Sequence, residues 1–380
     1  MGAVEHVLAQ VHRHGPRRLD QVLEAALYDP THGFYGAGGG AGRGRDFLTS
    51  PEVGPLFGAV VARALDQWWD EAGRPDPWIV VDAGAGPGGL ARAILAAAPA
   101  CASALRLVLV ERSAALREAQ REHLDLEEPS LVLGPVQDDS YEGDDGAVLQ
   151  AGIGPLATTL AELPALRFTG VVLANELLDN VPFRLLERSE HGWSEVRVGA
   201  EHGRLVEVLV PADEATARRA DRFAPGATVG ARIPLQDEAA TWVRRALERI
   251  ERGRLVIVDY ASTTPALAER PVGEWLRTYR GHQRGSGPLD DLGGQDVTVE
   301  VAIDQLAAVR ALTLDRTQAE ALADWGIEAL VEDGRRVWGE RAHLGDLQAV
   351  KARSRISEAE ALLDPAGLGG FRVLEWELPS

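Results

Sequence analysis

The sequence predicts an α/β protein in which a parallel sheet carries helices on both faces. An apolar segment, Ile79–Ala83, runs straight into a turn with three alternating glycines, and a helix is expected from about Pro87 to Ala98. A second apolar segment, Leu105–Glu111, follows that helix. Strands that alternate with helices, with a glycine turn after the first strand, are typical of a doubly wound sheet that binds a nucleotide-like ligand.

The N-terminal part of the chain predicts a helical cap. Helices are expected over Val4–His12 and Leu19–Leu27, and a longer one over Pro55–Asp70, where apolar residues recur at helical spacing. Between them, the segment from Gly36 to Gly44 has the composition of a flexible lid or of a linker. We therefore expect residues 1–74 to form a cap and lid.

The middle of the chain interrupts the alternation of strands and helices. Before the interruption, we expect a helix over 113–124, a third strand near 131–134, a loop over 137–155, a helix over 155–163 and a strand over Thr169–Asn175. Strands over Phe183–Arg188, Trp193–Val198 and Arg204–Val210, joined by glycine-containing turns, then predict an antiparallel meander. With a helix over 236–252, residues 183–252 are predicted to form an inserted antiparallel β subdomain.

The last third of the chain returns to the sheet. A strand is expected over 254–260, followed by a long loop and by strands over Asp296–Val301 and Phe371–Trp376. The predicted core therefore comprises residues 75–182 and 253–380, on either side of the insertion.

Composition and charge narrow the classes of function. The formal net charge of −19 over 380 residues disfavours nucleic acid as a partner, because affinity for phosphate comes largely from lysine and arginine. The single cysteine, Cys101, excludes thiolate zinc sites, and no histidine spacing predicts a metal site. Without a long apolar run or an N-terminal secretory signal, we expect a cytoplasmic protein with no membrane insertion.

The glycine turn predicts the ligand of the sheet. Bare backbone at Gly84, Gly86 and Gly88 lets a ligand approach main-chain N–H groups without meeting a Cβ atom. Asp82 stands two residues before the first glycine, where a carboxylate repels a pyrophosphate and attracts a sulfonium or amino group. We therefore predict S-adenosylmethionine, which carries both cationic groups and an adenosine. The alternatives are a dinucleotide, whose G-x-G-x-x-G spacing is also present, and a purely structural turn.

Glu111 ends the second strand. A carboxylate at this tip can accept both ribose hydroxyl groups of a nucleoside. The alternative is an acid that caps the helix beginning near Ser113.

The strand over 169–175 leads into a second group of candidate residues. Glu176 and Asp179 follow its last residue, Asn175, and share a face if the turn is helical. Paired carboxylates can hold a guanidinium by charge-assisted hydrogen bonds, which favours catalytic roles for both. The structural alternative is a buried acid at Glu176 and a helix cap at Asp179. The Asn-Pro-Pro-Tyr tetrapeptide of amide and exocyclic-amine methylases is absent at this tip, which disfavours those substrates.

Several segments together resemble the MidA-like methyltransferases, relatives of the mitochondrial complex I assembly-factor protein arginine methyltransferase. In chain order they are Tyr28-Asp29-Pro30, Gly33-Phe34-Tyr35, Asp46–Glu52, Phe57-Gly58, the Asp82–Gly88 turn, Asn175–Pro182, Val258-Asp259-Tyr260, Tyr279-Arg280, Asp296-Val297-Thr298 and Thr317-Gln318. The resemblance covers nearly the whole chain. At Gly54 the sequence departs from the family, where a serine is expected.

The resemblance implies a class I S-adenosylmethionine-dependent methyltransferase with a Rossmann-like sheet. It implies cofactor contacts from Asp82, Gly84, Ala85, Gly86, Gly88, Glu111, Asn175 and Ser50. It further implies that Tyr28, Glu52 and Asp259 bind the acceptor, beside Glu176 and Asp179 as catalytic residues. For the segments around Tyr28 and Glu52, a packed cap without ligand contact is the alternative.

The function predicted on this basis is methyl transfer to an arginine side chain of a protein substrate. A small-molecule O- or N-methyltransferase and a non-catalytic assembly factor that retains the fold are the alternatives. A homodimer is possible, with Trp242, Trp275, Trp325 and Trp338 as candidates for its interface and core packing as their alternative role.

Overall fold

A computed structural model describes residues 2–36, 49–134, 150–280 and 283–379. These residues form two compact units. One, the meander unit, takes the described parts of Met1–Leu48, Glu176–Arg245 and Asp259–Leu312. The other, the sheet unit, takes the described parts of Thr49–Asn175, Ala246–Val258 and Thr313–Ser380. The division into cap, core and inserted subdomain stays a prediction.

The helices and strands are numbered in chain order. The helices are α1 (Ala3–His14), α2 (Leu19–Tyr28), α3 (Ser50–Val53), α4 (Pro55–Glu71), α5 (Gly89–Ala96), α6 (Ala114–Arg121), α7 (Pro129–Leu133), α8 (Glu214–Phe223), α9 (Asp237–Arg249), α10 (Thr264–Ala268), α11 (Val272–Trp275), α12 (Ile303–Ala307), α13 (Gln318–Asp324), α14 (Ile327–Arg341) and α15 (Leu347–Leu363). The strands are β1 (Arg17–Arg18), β2 (Trp78–Ala83), β3 (Leu105–Val110), β4 (Leu156–Leu160), β5 (Phe168–Asn175), β6 (Arg184–Ser189), β7 (Gly192–Glu201), β8 (Arg204–Pro211), β9 (Arg232–Leu235), β10 (Ile250–Asp259), β11 (Ala261–Ser262), β12 (Leu276–Arg280), β13 (Gln283–Arg284), β14 (Asp296–Val299), β15 (Val301–Ala302), β16 (Leu314–Thr317) and β17 (Arg372–Leu378). Short 3-10 turns lie at Ala102–Ala104, Leu178–Asn180, Ala342–Leu344 and Leu368–Gly370.

A seven-stranded sheet in the order β16-β17-β10-β5-β2-β3-β4 forms the centre of the sheet unit. The strands from β10 to β4 pair in parallel, and β16 pairs with β17 in antiparallel orientation. Every residue of β2 and β3 is buried, as expected for parallel strands covered on both faces. The chain order reverses between β2 and β5, which places a topological switch point at their carboxyl ends. The predicted doubly wound α/β fold is confirmed.

Helix α4 supplies much of the apolar core of this unit. Leu56, Val60 and Ala64 recur at helical spacing and are at most 1% exposed. They belong to one cluster with the strand residues Val80 and Val171. The apolar residues whose spacing predicts this helix therefore form its buried face.

Antiparallel pairing organises the meander unit. Strand β7 pairs with β1, β6 and β8, and β6 pairs with β9. Helices α1 and α2 contribute Val7 and Leu23 to an apolar cluster that includes Val196 of β7. In the same unit, β12 pairs with β13 and β14 in antiparallel orientation. The predicted meander is present, and the segment between the first two helices adds β1 to it.

Two predicted elements are wrong. Residues 131–134, predicted as a strand, belong largely to helix α7, and residues 155–163, predicted as a helix, contain strand β4. Strand β4 pairs in parallel with β3 over all five of its residues. Its two adjacent threonines, Thr158 and Thr159, suit a strand, and the edge of β3 supplies the pairing that local sequence does not reveal. The long loop predicted after residue 260 also contains α10, α11 and β12.

Other predictions differ only at element ends or lie outside the described residues. Helix α5 begins at Gly89 rather than Pro87, because Gly88 takes a left-handed conformation at its N-cap. The glycine-rich segment after Gly36 and residues 137–149 of the predicted loop lie outside the described residues. Trp275 and Trp325 are core residues, and the homodimer stays a prediction. None of the described helices is long and apolar enough to cross a membrane.

Helix α15 caps the N-terminus of helix α4. Gly54 occupies the N-cap position without a side chain, and Glu358 Oε2 accepts a hydrogen bond from the backbone N–H of Leu56 at 2.8 Å. A Cβ atom on Gly54 would lie 2.2 Å from Glu358 Cδ. Glycine therefore stands where the resemblance expects serine because the Glu358 carboxyl group occupies the space of a local cap.

We expect Glu358→Ala to lower the free energy of unfolding by about 1–2 kcal/mol, because the Leu56 N–H loses its buried acceptor. Glu360→Ala is the matched control, since Glu360 is an exposed acid on the same helix. Urea unfolding followed by circular dichroism compares the two variants. Equal free energies of unfolding would contradict the capping role of Glu358.

Candidate active site

The glycine turn follows β2 at the switch point of the sheet unit. The backbone N–H groups of Gly84 and Ala85 donate to the carbonyl oxygen of Val110 at 2.9 and 3.1 Å, which fastens the turn to the end of β3. Gly86 has a φ of 53°, a left-handed conformation that glycine adopts without penalty. A Cβ atom on Gly86 would meet nothing within 4 Å, whereas one on Gly88 would lie 2.9 Å from Leu124 Cδ1. Gly88 therefore permits close packing, and Gly86 leaves open space beside bare backbone.

Asp82 is a buried carboxylate with no counter-charge among the described residues. It is the penultimate residue of β2 and is 2% exposed. Its Oδ2 atom has no hydrogen-bond partner among the described residues. Burial raises the pKa of Asp82 to about 7, and the negative charge of Glu111 adds to the rise. An uncompensated acid of this kind favours a cationic ligand, which restores the lost solvation.

Glu111 joins the tip of β3 to the glycine turn. Its Oε2 atom accepts a hydrogen bond from Gly86 N at 3.0 Å, and its Oε1 atom accepts one from Ser113 N at 2.7 Å. Burial raises the pKa of Glu111, and these hydrogen bonds offset only part of the rise. On the other side, Gln120 Nε2 donates to the carbonyl oxygen of Gly86 at 2.7 Å. Because a carboxylate offers about four lone-pair positions, Glu111 keeps capacity for further donors such as ribose hydroxyls.

These residues fit S-adenosylmethionine. Asp82 would offer a cationic amino-acid end the carboxylate oxygen that has no partner among the described residues. Glu111 would offer acceptors to a ribose, and Gly86 would let a ligand reach the backbone. When bound, this cofactor supplies a methyl group on a cationic sulfur. The individual contacts stay predictions.

The remaining predicted cofactor residues are already engaged within the sheet unit. Ser50 is fully buried, and its hydroxyl donates to Gln318 Oε1 at 2.9 Å. The N–H of Ala85 is used by Val110, as described above. Asn175 ends β5, pairs with Val258 of β10 and lines a small apolar cavity with Phe57. Their roles as cofactor contacts stay predictions.

In the meander unit, the two predicted catalytic acids lie at a strained turn. Glu176 has a φ of 48°, a left-handed conformation that costs a residue other than glycine about 1–3 kcal/mol. The 3-10 turn begins only at Leu178, so Glu176 precedes it and the helical face predicted for the pair does not form. Asp179 lies within the turn and is 4% exposed. Such strain is concentrated at functional sites in proteins.

Asp259 holds this turn through its backbone. Its Oδ2 atom accepts hydrogen bonds from the N–H groups of Leu178 and Asp179 at 3.0 and 3.3 Å, and its Oδ1 atom accepts one from Tyr260 N at 3.0 Å. Burial raises the pKa of Asp259, and the charges of Asp179 and Glu176 raise it further. The predicted acceptor-binding role of Asp259 is untested, and its contacts are those of a residue that fixes the turn.

A second buried acid, Asp296, holds the end of the same turn. Its Oδ1 atom accepts hydrogen bonds from Asn180 Nδ2 at 3.0 Å and Val297 N at 2.9 Å, while its Oδ2 atom has no partner among the described residues. Burial raises the pKa of Asp296 to about 8, with a contribution from Asp179. Burial likewise raises the pKa of Asp179 to about 6, although a hydrogen bond from Tyr260 lowers it. The Oδ1 atom of Asp179 also lacks a partner in the described part of the chain.

The two predicted acceptor residues from the N-terminal part have structural contacts. The Tyr28 hydroxyl donates to the carbonyl oxygen of Asn180 at 3.1 Å, and its ring stacks on Tyr35 at a centroid distance of 5.6 Å. Glu52 Oε2 accepts from the backbone N–H of Thr49 at 3.2 Å in a capping box at the start of α3. Tyr28 therefore joins the turn at 178–180, and Glu52 belongs to the sheet unit.

Sequence reasoning did not assign roles to Tyr260, Asp296, Asn180, Tyr35 or Gln120. Four of them stand in segments that carry the family resemblance, namely Tyr260, Asp296, Asn180 and Tyr35. The signal that could have found them is a polar residue in an otherwise apolar segment, as at Asp296. Their mutual contacts join positions more than 100 residues apart, which no local pattern reveals.

A solved structure resembles the chain throughout this fold. It is a "likely methyl transferase" from Burkholderia thailandensis bound to S-adenosyl-homocysteine, with a TM-score of 0.79 and 26% sequence identity. The match covers 99% of this chain and 91% of that one. Together with the fold and the glycine turn, it defines the chain as an S-adenosylmethionine-dependent methyltransferase of class I.

The family follows from the sequence comparison. Residues 60–319 match the model of a family described as "putative S-adenosyl-L-methionine-dependent methyltransferase", and the chain belongs to this family. The resemblance to MidA-like methyltransferases is thereby confirmed. The mitochondrial protein arginine methyltransferase NDUFAF7 of Danio rerio is 24% identical over 87% of this chain and 78% of its own length. Its Drosophila melanogaster homolog is 27% identical over 76% and 65%, respectively.

One prediction about the protein as a whole is wrong in the light of these relatives. A cytoplasmic location was expected from the absence of a secretory signal and of a long apolar run. The curated relatives named here are mitochondrial proteins, which contradicts that expectation.

We expect Gly86→Val to weaken binding of S-adenosylhomocysteine by about 100-fold or more, because the branched side chain fills the open space beside the turn. Gly73→Val is the matched control in the same unit: Gly73 also has a positive φ, of 79°, and open space around its Cβ position. Isothermal titration calorimetry on both folded variants measures the dissociation constant. Unchanged affinity in Gly86→Val would refute the cofactor site.

Proposed function

We propose that this methyltransferase transfers the methyl group to an arginine side chain of a protein. The observation that carries the proposal is a group of three buried carboxylates, Asp179, Asp259 and Asp296, each at most 4% exposed. Among the described residues, no arginine, lysine or histidine forms an ion pair with any of them. A buried anionic group without a partner favours a cationic ligand.

The hydrogen bonding of these acids favours a cation with several donors. Asp179 Oδ1 and Asp296 Oδ2 are both buried and lack partners in the described structure. A guanidinium presents five N–H donors in a planar fork, and therefore suits two carboxylates better than a single ammonium does. The names of the arginine methyltransferase relatives support the same acceptor.

The acids have distinct roles in this proposal, in which Asp296 offers the cation its Oδ2 atom. Asp179 binds the acceptor guanidinium through Oδ1, and Glu176 binds a second nitrogen from the strained position that precedes the turn. Asp259 holds the turn by accepting its backbone N–H groups. Fixing the acceptor nitrogen in a defined direction supplies much of the catalysis in a displacement reaction.

The direct test is a label-transfer experiment. The purified protein is incubated with tritiated S-adenosylmethionine, in one reaction with proteins and in another with small metabolites from cells that carry the gene. The Asp179→Asn variant is treated in the same way. We expect label in protein, and methylarginine after acid hydrolysis. Label that is confined to a small metabolite, or to lysine, would overturn the arginine assignment.

Asp179→Asn and Glu176→Gln are each expected to lower the rate of arginine methylation by about 100-fold or more, because both variants keep the shape of the side chain and lose its charge. Binding of S-adenosylhomocysteine is expected to stay unchanged, since the residues that fit the cofactor belong to the sheet unit. Glu190→Gln, in the exposed turn before β7, is the control. A rate that resembles this control in both variants would contradict their catalytic roles.

Acceptor binding is expected to strengthen with rising pH. In the free protein, Asp179 has a pKa of about 6 and Asp296 a pKa of about 8, and a cation binds the ionised forms. Affinity should therefore be low below pH 6 and should rise through both pKa values, while arginine stays charged. The KM for an arginine peptide, measured from pH 5.5 to 9, tests this expectation. A flat or falling affinity would contradict it.

A further inference from the structure

Asp259 and Tyr260 together fix Asp179 from two directions. Asp259 Oδ2 accepts the backbone N–H of Asp179 at 3.3 Å, and the Tyr260 hydroxyl donates to Asp179 Oδ2. Backbone and side chain of Asp179 are thus both held by two adjacent residues at the end of β10. The arrangement leaves Asp179 Oδ1 as the oxygen without a partner among the described residues.

The hydrogen bond from Tyr260 decides which oxygen stays available. The terminal torsion of an aspartate is soft, so a carboxylate that is held only through its backbone can rotate and exchange its two oxygens. A donor on one oxygen removes this freedom and directs the other oxygen to one position. An acceptor guanidinium must find that position if its nitrogen is to be methylated.

We propose that Tyr260 is a positioning residue of the acceptor site, which orients the Asp179 carboxylate so that Oδ1 receives the guanidinium. This inference rests on the proposed function. Tyr260 acts through Asp179 and does not itself contact the acceptor. The phenol hydrogen bond also favours the ionised form of Asp179, since it lowers the pKa that burial raises.

Tyr35 provides the matched comparison within the same cluster. Its hydroxyl donates to Asn180 Oδ1 at 2.9 Å and lies 3.2 Å from Asp296 Oδ1. It therefore supports the neighbouring residue of the turn and forms no hydrogen bond with Asp179. Tyr35→Phe and Tyr260→Phe remove the same atom from the same cluster, but only the second removes a partner of Asp179.

The experiment measures the titration of Asp179 and the pH profile of arginine methylation in both variants. Carboxyl carbon NMR of protein labelled at aspartate reports the pKa directly, and Asp179→Asn assigns the signal. In Tyr260→Phe we expect the pKa to rise by about one unit. The acid limb of the kcat profile should move upward with it, and activity should partly recover at high pH. In Tyr35→Phe the pKa of Asp179 should stay at its wild-type value, because the hydroxyl removed there contacts Asn180 and Asp296.

The outcomes separate this inference from the proposed function. An unchanged pKa of Asp179 in Tyr260→Phe would overturn the inference, whatever the acceptor is. Equal loss of activity at every pH, without a shift of the midpoint, would also overturn it, because that is the result of a merely structural tyrosine. A raised pKa in a protein that methylates no arginine would support the orientation of Asp179 by Tyr260 and refute the proposed function alone.

Discussion

Burial of three carboxylates that have no cationic partner among the described residues is the constraint around which the turn at 178–180 is built. Removing an ionised carboxylate from water costs several kcal/mol unless hydrogen bonds or an opposite charge compensate. Backbone N–H groups satisfy both oxygens of Asp259, and side chains or backbone satisfy one oxygen each of Asp179 and Asp296. The two remaining oxygens, Asp179 Oδ1 and Asp296 Oδ2, have no hydrogen-bond partner among the described residues, so their lost hydration is not replaced. In the proposed function, the guanidinium of the acceptor replaces it.

This arrangement lowers the free energy of unfolding of the protein near neutral pH. The pKa values of Asp179 and Asp296, about 6 and about 8, exceed the ordinary value of 3.8. Between pH 3.8 and these raised pKa values, the folded state binds more protons than the unfolded state. The free energy of unfolding therefore falls as pH rises through this range. The strained backbone of Glu176 adds to this instability. Residues that destabilise the free protein in this way are characteristic of binding and catalytic sites.

The sheet unit repeats the same physical principle at its own site. Asp82 is buried at the end of β2, one of its oxygens has no partner in the described part of the chain, and its pKa is raised to about 7. Beside it, the glycine turn is fastened to β3 through Val110 and Glu111, which leaves the backbone at Gly86 open. The family match shows that the protein uses S-adenosylmethionine, and this site is where we predict that it binds. In the proposed function the other unit binds the acceptor, and relatives at 24–27% identity supply a name for it but not the contacts.

The sequence by itself determined the doubly wound fold, the cofactor and the family, because these depend on local features: apolar strands, a glycine turn and the acid before it. It also located Glu176 and Asp179 as acids after a strand. Only the tertiary structure decided that the third strand is β4 rather than residues 131–134, because β3 supplies its pairing. It alone brought Tyr35, Asn180, Tyr260 and Asp296 to one turn. Contacts between residues far apart in the chain follow from packing and strand order, which no short segment encodes.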